Sequence, residues 1–446
     1  MIHRAPRTRF HKWGLLLALG FWSVQRSAAA KDPDLPTGSE LRVAERPETG
    51  AGVPACSGRF PVCVHVGPRV RIDSTLAALD AAELAYERLV VVLGLPAPVP
   101  DRAGGSDALD LYILPRSPDG DPVEVHSEPL ELGAFDRAAA FCELIESEGV
   151  LLERAATICL GEAIALGLDA AETPHVRRAF ATSLWWTVGT PTTLDYEAVA
   201  EIQSHPERAV LRRERNASSE GAAIFFEYLE QTRAEGEPGT LAAALLSASA
   251  QKTPPDAFRF ENEPDHVDVL RHTLGQQRSR LVALFRDFSV ARTFVGARDD
   301  GVHLPALGWS GRFGVAPFDW IIPFSSLPRR VLLSKPVEPS GAALVWLDLD
   351  QEPAGATLGF QAEWEAPVAF AWTFVRIAED GSELSRVDIP FQQRATSIEA
   401  RLTGLDGARA VALVGTYLDE VSLEHPFDPD VEPFEPHSAT VYLVRL

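Results

Sequence analysis

The chain changes its hydrophobic rhythm twice. Val62–Val66 and Val70–Ile72 are short apolar runs on either side of Gly67-Pro68 and read as strands. Ser74 then opens a helix that runs to Leu93. Leu76, Leu79, Ala82, Leu84, Leu89 and Val92 form its apolar face, and Gly94 ends it. Leu109–Leu114 reads as another strand. From about 134 to 297 the period is helical, rich in Ala and Leu, with Gly or Pro at intervals. The spacing predicts helices over 134–147, 150–167, 173–188, 195–204, 218–234, 239–250, 264–274 and 276–295. Near Gly308 the period shortens to two. Apolar stretches such as Ala343–Leu347, Ala369–Val375, Val411–Val414 and Val441–Val444 alternate with polar turns, and Glu379-Asp380-Gly381 is a hairpin turn. The expected class is α+β: an opening β/α stretch, a helical region, then an antiparallel β-sandwich.

Ahead of these elements lies a different text. Arg4, Arg7, Arg9 and Lys12 precede an apolar run from Trp13 to Trp22, and Ala28-Ala29-Ala30 closes it. Basic, then apolar, then small is the order of a secretory signal peptide, and ten apolar residues are too few for a membrane span. The expected division is a signal peptide over 1–30, a poorly ordered Pro-, Gly- and charge-rich leader over 31–55, a mainly helical domain over 56–300 and a β-sandwich over 301–446. The expected destination is outside the cytoplasm: secreted, periplasmic or at the cell surface, with no integral membrane segment once the signal is removed.

Charge and cysteine sharpen this. The whole chain carries a net −22, and its first thirty residues hold five Lys or Arg and no acid. The mature surface is therefore more acidic still, which excludes nucleic acid as a partner and disfavours anionic membranes. Cys56, Cys63, Cys142 and Cys159 make an even count in an exported chain, so two disulfides are expected. Of the three pairings, the two local ones are favoured: Cys56 with Cys63, and Cys142 with Cys159 across the Ser147-Glu148-Gly149 turn between two helices.

Common hydrolase motifs are missing. There is no HExxH, no GxSxG, no P-loop and no GxGxxG. Ser249-Ala250-Gln251-Lys252 matches SxxK, but Pro254-Pro255 follows and no companion motif exists, so the match reads as coincidence. The acidic run Leu418–His437 holds Asp419, Glu420, Glu424, Asp428, Asp430, Glu432 and Glu435, carboxylates of a type that ligate calcium, without EF-hand spacing. It reads as a solvated loop, and no cofactor or metal is expected.

One resemblance covers roughly residues 60–300. The order of elements resembles that of gluzincin-type zincin metallopeptidases, exported enzymes with a β/α half, an active-site helix and a helical half. Their helix carries HExxH, and a later Trp-x-x-Glu-Gly motif supplies the third zinc ligand. Here Trp185-Trp186-Thr187-Val188-Gly189 keeps the Trp and the Gly, and Val188 stands where the family has Glu. The matching helix, LLERAATICLGEAIALG over 151–167, has no histidine; Glu153 and Glu162 are its carboxylates. The resemblance therefore implies a relic site of Glu153, Glu162, Trp185, Val188 and Gly189 without zinc, and no catalytic residues. The Ala- and Arg-rich composition is similar to that of exported proteins of myxobacterial type. The function expected from this is a non-catalytic, peptidase-like protein with a binding, cell-surface or structural role, its ligand an extracellular protein or glycan. Two other readings stand beside it. One is an active secreted hydrolase built on His175, His205, Glu207 and Glu220. The other is a carbohydrate- or surface-binding module using Trp309, Trp320, Trp346, Trp364 and Trp372.

Overall fold

Five short strands come first among the described residues, and their alternation decides what lies on each side of the sheet they make. In the computed structural model these are β1 (Ala55–Cys56), β2 (Val62–Val66), β3 (Leu109–Leu114), β4 (Val123–Pro129) and β5 (Ala138–Ile145), in the order β1-β2-β3-β5-β4. The structure describes residues 45–50, 53–100, 104–115, 122–129, 137–213, 215–234, 236, 238–250, 264–273, 278–349, 355–390, 394–418 and 434–446. The expected signal peptide, most of the leader, Lys252 and the acidic residues 419–433 lie outside them.

β2, β3 and β5 run parallel, while β1 and β4 are antiparallel to their neighbours. Parallel strands need a crossover, and helix α1 (Ile72–Tyr86), continued by a π-helical segment Glu87–Val92, provides the first one. Val64, Leu111, Val123, Cys142 and Leu144 face the helices and join the main hydrophobic core. The residues between them form the opposite face: His65, Asp110, Tyr112, Phe141 and, on β4, Glu124 and His126.

Two expectations fail here. Val70–Ile72 is not a strand: Arg71 caps α1 and Ser74 lies inside it. The expected helix over 134–147 is strand β5, because the Ala-rich run is placed between β3 and β4, where the sheet supplies its hydrogen bonds. Both expected disulfides are present, Cys56–Cys63 and Cys142–Cys159. The second therefore joins a strand to a helix, not two helices.

The remaining helices are α2 (Val150–Leu168), α3 (Pro174–Val188), α4 (Thr193–Ser204), α5 (Ala223–Arg233), α6 (Thr240–Ser249), α7 (His266–Thr273) and α8 (Arg278–Ala291). Each falls where the helical period is read. α2 is buried on nearly every side, as a helix apolar all round must be. Among the described residues, no helix is long and apolar enough to cross a membrane.

The carboxyl half holds β6 (Trp320–Pro323), β7 (Arg329–Leu332), β8 (Ala342–Asp348), β9 (Leu358–Val368), β10 (Phe370–Ile377), β11 (Glu383–Asp388), β12 (Ala395–Leu402), β13 (Ala410–Tyr417) and β14 (Ala439–Arg445). They make two sheets, β11-β10-β13-β8-β6 and β12-β9-β14-β7. Phe360, Trp364, Phe370, Trp372 and Phe374 meet between the sheets in one core. The other face of β8, β10 and β13 packs on Val290 and Phe294 at the end of the helical region. These strands are covered on both sides, which is why β13 reads Ala-Val-Ala-Leu-Val without a polar break. The Glu379-Asp380-Gly381 turn joins β10 to β11, with Gly381 in the left-handed region at φ 91°. The molecule is thus α+β, with helices and mixed and antiparallel sheets.

Candidate functional site

α2 leaves β5 through Gly149 at φ 58° and is tied back to that strand by Cys142–Cys159. α3 begins at a Thr173 cap, whose side chain accepts from the Val176 amide, with Pro174 in the first turn. The two helices approach closely where Gly161 meets Ala181: a β-carbon on Gly161 would lie 2.9 Å from that of Ala181. This close approach sets Glu162 of α2 against Arg178 of α3, with Arg178 Nε 2.7 Å from Glu162 Oε1.

Around that pair, charged side chains close a buried network. Arg178 donates through Nη2 to the Val123 carbonyl of edge strand β4 (2.7 Å), and its Nη1 lies 3.7 Å from Glu220. Glu220 also accepts from Arg154 of α2 (2.5 Å), and Arg154 Nε donates to Asp195 (3.0 Å). Asp195 sits at the third position of α4 in a capping box with Thr192. It accepts further bonds from the Trp185 and Trp186 indoles, each at 3.0 Å, and from the Thr192 amide and hydroxyl. Arg154, Arg178 and Asp195 are fully buried.

The electrostatics follow from this packing. Burial alone would raise the Asp195 carboxyl, but Arg154 and the amide, indole and hydroxyl donors hold it below the usual carboxylate range. Burial would likewise lower the Arg154 guanidinium, and Glu220 and Asp195 outweigh it and push it up. Both groups are therefore charged at neutral pH. Zinc, which active zincin enzymes hold, does not fit these residues. Among the described residues no imidazole belongs to the network, and each of its three carboxylates is already engaged by Arg154 or Arg178.

The residues singled out in the sequence separate here. Glu162 and Trp185 belong to the network. Gly189 packs on Trp185 so tightly that a β-carbon would lie 2.2 Å from its ring. Val188 is half-buried against the main core. Glu153 lies outside the network, half-exposed and 3.4 Å from Arg88. Arg154, Arg178 and Asp195 escape sequence reading, although Thr192-x-x-Asp195 is a capping signature and an arginine in so apolar a helix demands a buried partner.

The four polar residues of the hydrolase reading divide. His205 and Glu207 meet Lys335, which precedes β8, and Glu220 serves the arginine network. His175 lies 2.9 Å from Ser219 Oγ and 3.1 Å from the Val210 carbonyl. Burial pushes its pKa down to about 4, so the ring is neutral at pH 7. Nε2–H must donate to the carbonyl, which leaves Nδ1 to accept from the Ser219 hydroxyl. This is the polarity of an activated serine, but both side chains are sealed from solvent. Nearby, Glu172 and His266 form a fully buried pair at 2.9 Å; burial would raise the carboxyl, and the imidazole brings it below its usual range. Ser249 of the SxxK match donates to Asp169 instead (2.6 Å).

Of the five tryptophans, Trp364 and Trp372 are core residues, Trp309 and Trp346 are half-buried, and Trp320 is exposed with its indole on the Leu332 carbonyl. Trp346 lines a groove of about 440 Å³ with Phe318, Arg298, Asp348 and Arg409, where the helical region meets β8 and β13.

No protein-family model matches this sequence, and no curated protein is similar to it. Among solved structures, the pre-peptidase C-terminal domain of a collagenase from Bacillus anthracis aligns at a TM-score of 0.19 and 10% identity, over 28% of this chain and 96% of that one. A likeness of that size carries no argument about fold or function.

Proposed function

We propose that this chain is an exported, non-catalytic protein with a degenerate zincin-like scaffold that acts by binding an extracellular protein or glycan. One observation carries the reading: Arg154 and Arg178 occupy, with Glu162, Asp195 and Glu220, the junction of α2, α3 and α4. A catalytic zinc centre keeps an open position for water; here the junction is packed with ion-paired arginines and carboxylates. Three further features support the reading. The order β2–α1–β3–β4–β5–α2, a β/α opening followed by helices, is compatible with the resemblance. The two disulfides are compatible with export. The two packed sheets of the carboxyl half read as a β-sandwich of the kind that accompanies secreted peptidases. The test is digestion of a denatured protein substrate by the purified chain, with and without a zinc chelator. The expected result is no chelator-sensitive cleavage. Turnover that the chelator stops and Glu220→Gln abolishes would overturn it.

Of those two ligands, a glycan is favoured by Trp346 and Phe318 standing beside Asp348 and Arg409 in the groove. Aromatic faces with flanking charged groups suit a sugar ring. Trp346→Ala should then abolish retention on a polysaccharide column; retention unchanged by it would remove this reading.

A further inference from the structure

We propose that Glu124, His126 and Glu143 form a binding site for a zinc-class divalent cation on the face of the amino-terminal sheet that points away from α2. Glu124 and His126 are two apart on β4, so they share that face. Glu143 of β5 pairs in register with Glu124. Each residue offers one ligand atom, and the three atoms lie within 4.8 Å of one another.

Three observations point beyond an accidental cluster. Two carboxylates directly opposite on neighbouring antiparallel strands repel each other, and among the described residues no Lys or Arg pairs with either. On the same face Arg46 serves Asp110 and Glu128 instead. Second, His126 Nε2 already stands 3.1 Å from Glu143 Oε1, so an imidazole nitrogen and a carboxylate oxygen converge on one point that a cation could share. Third, the donors are held on a stiff support. The His126 ring stacks on Phe141 at 4.7 Å, and Cys142, next to Glu143, is bonded to α2. Glu124 is exposed, at the outer end of the cluster.

The donor set chooses the ion. One imidazole and two carboxylates suit zinc and its neighbours, whereas calcium and magnesium prefer oxygen alone. Three protein ligands leave at least one coordination position to solvent. The site is on the opposite side of the sheet from the Arg154–Arg178 network, so its failure would leave the proposed function standing.

The experiment is calorimetric titration of zinc chloride into the chelator-treated full chain, with calcium chloride as the second titrant. The expected result is one zinc per chain and no competing calcium. His126→Phe keeps a ring over Phe141 but removes the nitrogen donors, and it should weaken zinc by roughly tenfold or more, as should Glu143→Gln. Glu124→Gln, at the exposed end, gives the same direction with least risk to folding. Absence of zinc binding by the folded wild type, affinity unchanged in all three variants, or calcium bound in preference would each overturn the proposal.

Discussion

Arg154 is the residue on which the centre of the helical region depends. It is wholly buried and answers two carboxylates on different elements, Asp195 on α4 and Glu220 just before α5. Removing one partner of a buried ion pair leaves an uncompensated charge, so Arg154→Met should lower unfolding stability by about 3–5 kcal/mol. Urea denaturation measures this; a loss below about 1 kcal/mol would mean that water reaches the carboxylates. Glu227 of α5 is the opposite case. Burial pushes its carboxyl up to about 7, and Gln231 only partly offsets it. A carboxyl raised above its unfolded value of 4.5 favours the folded state below that pH, and the advantage is lost as pH rises through 7. Glu227→Gln should therefore stabilise the protein at pH 8, by roughly 1–2 kcal/mol, and give no gain at pH 4.5. An equal gain at both pH values would exclude titration as the cause.

Among elements, α2 shows what could and could not be read beforehand. Its existence, and that of α3, followed from Ala- and Leu-rich periodicity with Gly or Pro at intervals. The partners of Arg154 did not, because they stand 41 and 66 positions further along and only the folded chain brings them in. The helix expected over 134–147 gives way to β5 for a related reason. Ala138–Ala140 has high helix propensity, and its place between β3 and β4 overrides that preference. The cysteine pairing was legible from spacing, but not that it links strand to helix. The Cys142–Cys159 bridge closes a short loop, and replacing both cysteines by serine should cost about 3 kcal/mol in the chain-entropy account. Comparing melting curves of that variant and the oxidised wild type tests this; superimposable curves would contradict it.

At the scale of the whole molecule, the helical and sheet regions are joined by polar as well as apolar contacts. His303 lies 2.9 Å from Asp300 and 3.0 Å from Glu383 at the start of β11, and Arg386 bonds Glu383 while reaching Asp287 of α8. Burial would lower His303, but the hydrogen bonds to Glu383 and Asp300 raise it; burial would raise Glu383, but His303 and Arg386 bring it down to about 2. The sign differs on the two sides. The imidazole's contribution is complete below its unfolded 6.5 and is lost as pH rises through its higher folded value. The carboxylate's is complete above 4.5 and is lost as pH falls towards 2. The junction is thus firmest between those limits. His303→Gln should flatten the fall in melting temperature between pH 6 and pH 8.5; an unchanged fall would assign it to other groups.

The central claim is that charge, not metal, fills the junction of α2, α3 and α4. The most direct measurement uses the His126→Phe variant, in which the proposed cation site on the far side of the sheet is disabled. Loaded with excess zinc, desalted and assayed on a quenched fluorescent peptide mixture, it should retain no zinc and cleave nothing above the chelated control. One zinc per chain together with chelator-sensitive hydrolysis would contradict the account.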